Sequence, residues 1–543
     1  MVVAPPGDVR CGKRAQDTIG SPARIHFGSC FPTVLNYSEF MSKHDSTPER
    51  RRLRTIAEQA ALARGFRVTF PIDTQPQLQA EREPSFESLN IRDVTSWLWS
   101  SIDNDESKDL DQIEYAQKES GGIRIYVGIA DVDWFVPLNS ALDRAAEHNT
   151  TSIYTGVETF PMLPEKLSTD LSSLNEAGKR LAMVVEMLVA DDGGIPESTL
   201  YPAVVENKAQ LTYDAVAVWL EAGGNIDQHR GGLSGPGLET LQKIRKSEEL
   251  QAQLQMQDKV AQFLRERRHE AGALSFHTSE LQPVLSEEGA VIDLAARRQS
   301  RASFLIEDLM IAANQATATF LDQRGLPSIR RVVRNPERWD RIVSLAASLG
   351  VHLPAEPDVR SLEAFLKQQQ RTNPAHFADL SLAVIKLLGR GEYVLKSPGE
   401  EAPGHFGLAV QNYSHSTAPN RRYPDLITQR LLKAAFGGNP SPYSAEALSA
   451  LAEHCTEREN EANKVERFVK KCAAATLLSS RIGLKFEAAI SGVSADGTWV
   501  RLSHPPVEGK LVGSFKHLDV GHRVRVQLVS TDSEKGFIDF ELA

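Results

Sequence analysis

The sequence predicts an α+β multidomain protein, and three observations predict it. The run Ile123-Arg-Ile-Tyr-Val-Gly-Ile-Ala-Asp-Val-Asp-Trp-Phe-Val136 is rich in β-branched and aromatic residues and reads as a buried strand or strand pair. From about residue 237 to Leu478 helical periodicity dominates, as in Leu305-Ile-Glu-Asp-Leu-Met-Ile-Ala-Ala-Asn314. After Gly483 short alternating segments punctuated by Gly and Asp suit a small barrel.

Taken in order, Ser46-Thr-Pro-Glu49 opens a capped helix, with Pro48 in its first turn and Gly65 ending it. Pro71 to Pro84 reads as a linker. Residues 180–220 add strand-like segments, and the barrel strands are expected at Glu487 to Val493, Trp499 to Leu502, Arg523 to Leu528 and Gly536 to Glu541. A chain of 543 residues exceeds what one core supports. The expected division is a small, partly helical module at 1–72, a linker at 73–87, a large mixed α/β domain at 88–483 and the barrel at 484–543.

No apolar run approaches the roughly 18 residues that span a bilayer, and the N-terminus lacks the basic start and apolar block of a secretion signal. A cytoplasmic protein is expected, with no membrane partner. The four cysteines include no Cys-x-x-Cys pair, which argues against a zinc site and a disulfide scaffold. Nothing points to obligate oligomerisation, so a monomer is expected. A formal charge of −10 argues against coating nucleic acid by bulk electrostatics. Residues 1–72 nevertheless hold eleven Lys and Arg against six Asp and Glu, with Arg50-Arg51-Arg52 and Arg54 at one helical start. That cluster suits phosphate contact or an exposed amphipathic helix.

Ser101-Ile-Asp-Asn-Asp-Glu-Ser-Lys-Asp-Leu-Asp-Gln112 crowds carboxylates between two apolar segments. Acids this close repel one another unless water, a basic side chain or a divalent cation neutralises them. Asp109 and Asp111 share one face of an extended segment, and Asp103 returns to it if 104–108 loop. Composition alone leaves open a solvated acidic turn or a cation site.

Downstream lie Tyr154-Thr-Gly, Phe160-Pro-Met-Leu-Pro164, Ser168-Thr-Asp-Leu-Ser-Ser-Leu174, Gly272-Ala-Leu-Ser-Phe276, Leu305-Ile-Glu-Asp308 and Thr417-Ala-Pro-Asn-Arg-Arg-Tyr-Pro-Asp425. In this order they resemble the ribonuclease II and ribonuclease R family, the exoribonucleases that share the RNB catalytic domain, over roughly 88–480. The resemblance implies processive, Mg²⁺-dependent hydrolysis of single-stranded RNA from its 3′ end, releasing nucleoside 5′-monophosphates. The family's metal and catalytic acids fall on Asp103, Asp109 and Asp111, and a fourth falls on Gln112. A Gln carbonyl can coordinate Mg²⁺ but brings no charge, so Asp105 and Asp131 are candidates to compensate.

The resemblance further implies that Arg421 clamps the terminal phosphate, with Arg422 as its structural neighbour. A guanidinium fork suits that geometry. Tyr154 and Phe276 would sandwich the 3′-terminal nucleotides, and Tyr213 and Glu307, with Asp308 a rival, would read the 2′-hydroxyl. Glu466 resembles a family acid that affects RNA release. Residues 484–543 look like the RNA-binding OB fold that closes this family's chains. Seven Lys and Arg against eight Asp and Glu leave that barrel without a basic signal, with Trp499, Phe515 and Phe537 as candidate contacts.

Two N-terminal cold-shock domains, usual in the family, cannot fit in fewer than 90 residues. A compact RNA-binding module of helix-turn-helix type is expected instead, with an open entrance tolerant of structured RNA. Gln112 motivates a second reading, an RNA-binding protein that has lost its chemistry. An unrelated metal-dependent phosphatase would share the acids but would not need Tyr154, Phe276 or a terminal barrel.

Overall fold

The computed structural model describes residues 48–543 apart from 224–232, 277–279, 287–290, 298, 495, 514–517 and 519. Most of the expected 1–72 module and Phe515 lie outside the described residues. Helix α1 (Pro48–Ala63) buries Leu53, Ile56, Ala57 and Ala61, and the chain turns away at Gly65 with φ of +76°. Helix α2 (Thr74–Ala80) lies inside the stretch read as a linker. Gln77 explains the difference: its Nε2 donates to Phe135 O at 3.3 Å and its Oε1 accepts from Leu142 N at 3.1 Å. Those bonds dock the segment on the domain that follows.

In chain order come β1 (Arg92–Asp93), β2 (Trp99–Asp103), β3 (Gln112–Glu119), β4 (Gly122–Ala130), α3 (Ala141–Asn149), the short pair β5 (Ile153–Tyr154) and β6 (Thr159–Phe160), β7 (Lys179–Val189) and β8 (Glu197–Thr212). The main sheet has the order β1-β8-β2-β3-β4-β7. Strand β4 buries Ile125, Val127 and Ile129, as its composition requires, and pairs with both β3 and β7. Strand β8 runs antiparallel to β7 over Glu197–Glu206 and parallel to β2 over Asn207–Thr212, so the sheet curls back on itself. Buried Asn207 holds that switch, donating to Ser101 Oγ and Leu174 O at 2.9 Å each. The rings of Trp97, Trp99, Tyr115 and Tyr126 pack together against the sheet, at centroid separations from 4.6 to 6.0 Å.

Helices α4 (Tyr213–Glu221), α5 (Gly235–Lys246) and α6 (Glu248–Ala271) precede the hairpin β9 (Glu280–Leu285) and β10 (Val291–Arg297). Then follow α7 (Arg301–Gln323), β11 (Ser328–Val332), α8 (Trp339–Ser348), α9 (Val359–Thr372), α10 (Phe377–Leu388), β12 (Glu392–Lys396), α11 (Tyr423–Phe436) and α12 (Ala445–Leu478). Strands β11 and β12 interrupt the region read as helical because they pair with each other across three helices, beyond any local window. Val465, Val469 and Cys472 of α12 join the apolar cluster that contains α1.

The C-terminal strands β13 (Lys485–Ser494), β14 (Gly497–Leu502), β15 (Glu508–Leu511), β16 (Arg523–Asp532) and β17 (Phe537–Leu542) close into a barrel in the order β13-β14-β15-β17-β16. Strand β15 escapes the sequence reading because it is short and carries Gly509. A Cβ there would lie 2.4 Å from the ring of Phe540, so only glycine lets β15 close on β17. Among the described residues, no helix is long and apolar enough to cross a membrane.

Candidate active site

The acidic stretch is the connection between β2 and β3. Asp103 ends β2, and its Oδ1 accepts from Asn104 N at 2.7 Å and Ser107 Oγ at 2.8 Å, which curls the chain back. Buried Leu110 anchors the far side of the loop: its N donates to Ser173 Oγ and its O accepts from Leu174 N, both at 3.0 Å. Asp109 and Asp111 flank that anchor.

Asp111 is buried at 3% exposure, and Asn420 N donates to its Oδ1 at 3.0 Å. Arg421 Nε lies 3.7 Å from its Oδ2, with 43% of the arginine side chain exposed. Burial pushes the Asp111 carboxyl up to about 7; the Asp109 and Asp425 charges add to the rise, and Arg421 and the Asn420 N–H oppose it. Burial likewise raises Asp103, with Asp109 adding repulsion. Arg422, by contrast, is turned inward and pairs with Asp425 at 2.8 Å.

Tyr154 joins the acids from another part of the chain. Its hydroxyl donates to Asp109 Oδ2 and its main-chain N donates to Glu466 Oε1, both at 2.9 Å. A short pairing sets its position relative to Arg421: Ser152 N donates to Arg421 O at 3.0 Å, and Tyr423 N donates to Thr150 O at 2.8 Å. The structure therefore gathers Asp103, Asp109, Asp111, Tyr154, Arg421 and Glu466, drawn from residues more than 350 apart in sequence.

The remaining expected residues divide. Tyr213 follows Thr212, which pairs with Asp103 at the end of β8. Gln112 is half-buried and opens β3 opposite Ile129 of β4. Glu307 is exposed on α7, whereas Asp308 is buried and tied to Arg265 at 3.0 Å and to Arg268. Phe276 packs against the apolar cluster of α8, α9 and α10. Of the acids named to compensate for Gln112, Asp131 is neutralised by Lys433 at 2.8 Å, and Asp105 accepts from Ser234 Oγ beside α5. Neither leans on the cluster.

The sequence reading missed Asn420 and Asp425, whose roles are made by the turn into α11, and Ser173, which holds Leu110. It also missed Glu114, although alternation places it on the same β3 face as Gln112.

Among the described residues, no three acid, His or Cys side chains form a ready-made metal cage. Mg²⁺ needs only one or two carboxylates with substrate phosphates and water, so that finding is compatible with it. The donors fit: they are all oxygen, the Asp109 charge raises the proton affinity of both Asp103 and Asp111, and both bonds to Asp103 fall on its Oδ1.

A curled mixed sheet that ends in acids, a facing arginine and a closed five-stranded C-terminal barrel define a multidomain α+β protein with an acidic site at the end of its sheet. The RNB domain model matches residues 91–438, and the RNase II-type exonuclease C-terminal S1 domain model matches 485–543. The chain belongs to the ribonuclease II and ribonuclease R family. It is 30% identical to ribonuclease R 1 of Lactococcus lactis over 506 residues, which is 87% of this chain and 59% of that protein. It is also 30% identical to ribonuclease R of Escherichia coli over 479 residues, 81% of this chain and 56% of that protein. It thus spans less than two thirds of the length of either relative. The solved structure of Mycoplasma genitalium RNase R in complex with ribose methylated single-stranded RNA superposes with a TM-score of 0.78 at 22% identity, covering 91% of this chain and 78% of that one.

Proposed function

We propose that this chain is a processive 3′-to-5′ exoribonuclease that hydrolyses single-stranded RNA to nucleoside 5′-monophosphates with Mg²⁺. The observation that carries the reading is the apposition of buried Asp111 and half-exposed Arg421 next to Tyr154. Arg421 binds the scissile phosphate and neutralises charge as it builds there. Asp111, with a proton affinity near neutrality, takes the proton from the attacking water. The new P–O bond forms as the P–O3′ bond breaks, and the 3′-oxygen leaves with a proton. Mg²⁺, held by Asp103, Asp109 and Asp111 with Gln112 a neutral donor, would polarise the phosphate and the water.

Tyr154 offers a ring at 36% exposure for the terminal base, braced by Asp109 and Glu466. Tyr154→Ala is expected to lengthen the limit oligonucleotide, read on a sequencing gel; an unaltered end product counts against the role. In this reading Tyr213 and Glu307 recognise the 2′-hydroxyl, Phe276 belongs with the product nucleotides and Glu466 tunes release.

RNA approach is supported by a surface cavity of about 280 Å³ lined by Arg64, Lys464, Arg467, Phe468, Lys471, Lys535 and Phe537. The C-terminal barrel itself is not basic, yet it contributes two of these residues, and Phe537 is 60% exposed. Arg467→Glu with Lys471→Glu is expected to weaken binding of poly(A) about tenfold or more and flatten its salt dependence, with digestion of a short oligonucleotide little changed. Filter binding across a salt series checks this.

The defining test incubates 5′-labelled poly(A) with the protein, with and without Mg²⁺. A processive enzyme leaves full-length substrate and a short limit product with few intermediates. Binding without turnover would favour the second reading, which Gln112 motivates: an RNA-binding protein without chemistry.

A further inference from the structure

The segment that leaves α6 and carries Phe276 is held by one buried acid that the mechanism does not use. Gly272 ends α6 with φ of +104°, and residues 273–276 run on without regular structure. Glu363, on α9, is 3% exposed and meets them from another part of the chain. Its Oε2 accepts from Ser275 N and its Oε1 from Ser275 Oγ, both at 2.7 Å. Leu274 N, one residue earlier, donates to Gly407 O at 2.9 Å. Both residues before Phe276 are therefore pinned to distant elements.

Paired bonds to one carboxylate fix more than a distance. The main-chain N and the Oγ of Ser275 stand at the two ends of its χ1 torsion, so bonding each to an oxygen of one rigid group locks the rotamer and the backbone that leads into Phe276. Burial pushes the Glu363 carboxyl up, but bonds from His269, Ser275 and Lys367 outweigh it and hold the group below the ordinary carboxylate range. The acceptor therefore stays ionised. Lys367 Nζ lies 3.2 Å from its Oε1, and His269 Nδ1, 3.3 Å from the same oxygen, donates to Ala273 O at 2.8 Å. One acid gathers the whole bend.

Stability alone is a weak reason for this arrangement, because a buried charge returns little net free energy even when it is paired. Geometry is the better reason. Phe276 is half-buried against the apolar cluster of α8, α9 and α10, and a ring that receives a base must stand within about half an ångström of its place.

We propose that Glu363 is a positioning residue: acting through Ser275, it sets where the Phe276 ring stands and so the length at which RNA digestion stops. This rests on the reading that places Phe276 with the product nucleotides, and it adds what holds the ring there.

The test digests 5′-labelled poly(A) to completion with the full chain and its variants, and sizes the limit oligonucleotide on a sequencing gel. Phe276→Ala is expected to lengthen that product. Glu363→Met, which keeps the side chain's length but offers no oxygen, is expected to lengthen it as well. Ser275→Ala is expected to lengthen it in a smaller share of the product, because the Ser275 N–H bond survives. Added to Phe276→Ala, Glu363→Met is expected to give no further length, which general loosening of the fold would not produce. Lys367→Met removes a cation but neither bond to Ser275, and is expected to leave the parental product. A parental product in Glu363→Met overturns the proposal, as does a longer product in the double variant than in Phe276→Ala, or equal lengthening by Lys367→Met. If Glu363→Met does not fold, a parental product in Ser275→Ala overturns it instead. A longer product in Phe276→Ala with a parental one in Glu363→Met removes only the role of Glu363. A parental product in Phe276→Ala removes the role of the ring and this inference with it, and a chain that never digests poly(A) loses the function itself.

Discussion

Asp111→Asn is expected to lower RNA turnover by roughly 10²- to 10⁴-fold while leaving RNA binding measurable, and to make the metal-free protein more stable at neutral pH. The first effect follows from losing the base next to Arg421. The second follows from linkage. The Asp111 carboxyl is raised from 3.8 to about 7 in the fold, chiefly by burial. A group raised in this way contributes stability that is full below its unfolded value and is lost as pH climbs through its folded value. Parent stability without Mg²⁺ should therefore fall between about pH 4 and pH 7 through this residue, and the amide variant should escape that fall. The gain expected at pH 8 is on the order of 1 to 4 kcal/mol, seen as a higher Tm in chelator. Unchanged turnover would sink the assignment of Asp111, and equal melting curves at pH 8 would remove its buried-charge cost.

The second large effect is expected at Arg421. Arg421→Lys keeps a cation but loses the planar fork that grips phosphate, and turnover should drop by about 10²- to 10³-fold. Arg421→Ala should add a shift in the pH profile. Arg421 opposes the rise in Asp111, so its removal sends the Asp111 carboxyl higher and moves the acidic limb of the rate profile to higher pH. The lysine variant should shift less, because a positive charge remains. Single-turnover rates from pH 5.5 to 9 check this; an unmoved limb in the alanine variant would show that Arg421 and Asp111 do not act on one another. Arg422 provides the contrast, since its pairing with Asp425 makes it a residue of the turn into α11.

Much of this site was legible because its chemistry is concentrated in short ordered segments. Asp103, Asp109 and Asp111 lie within nine residues, and a loop between two strands returns them to one place. Tyr154 and Arg421 were legible as types and positions, but their mutual placement was not. It is made by main-chain bonds between 150–152 and 421–423, which no local pattern encodes. Asp308 and Glu307 show the same limit: adjacent acids on one helix, separated only by which one turns toward Arg265 and Arg268. The helix at Thr74–Ala80 was read as linker because its stability comes from Gln77 docking on distant main-chain groups.

By itself the sequence determined the α+β class, the acidic loop, the terminal barrel and the family, because strand alternation, helical period and motif order are properties of neighbouring residues. Only the tertiary structure decided the state of each acid. Asp131 is disarmed by Lys433, Asp308 by two arginines, Asp111 is buried against Arg421, and Glu114 is buried with neither oxygen hydrogen-bonded. The physical reason is that a carboxylate's charge, proton and partners depend on burial and on groups that reach it from elsewhere in the chain.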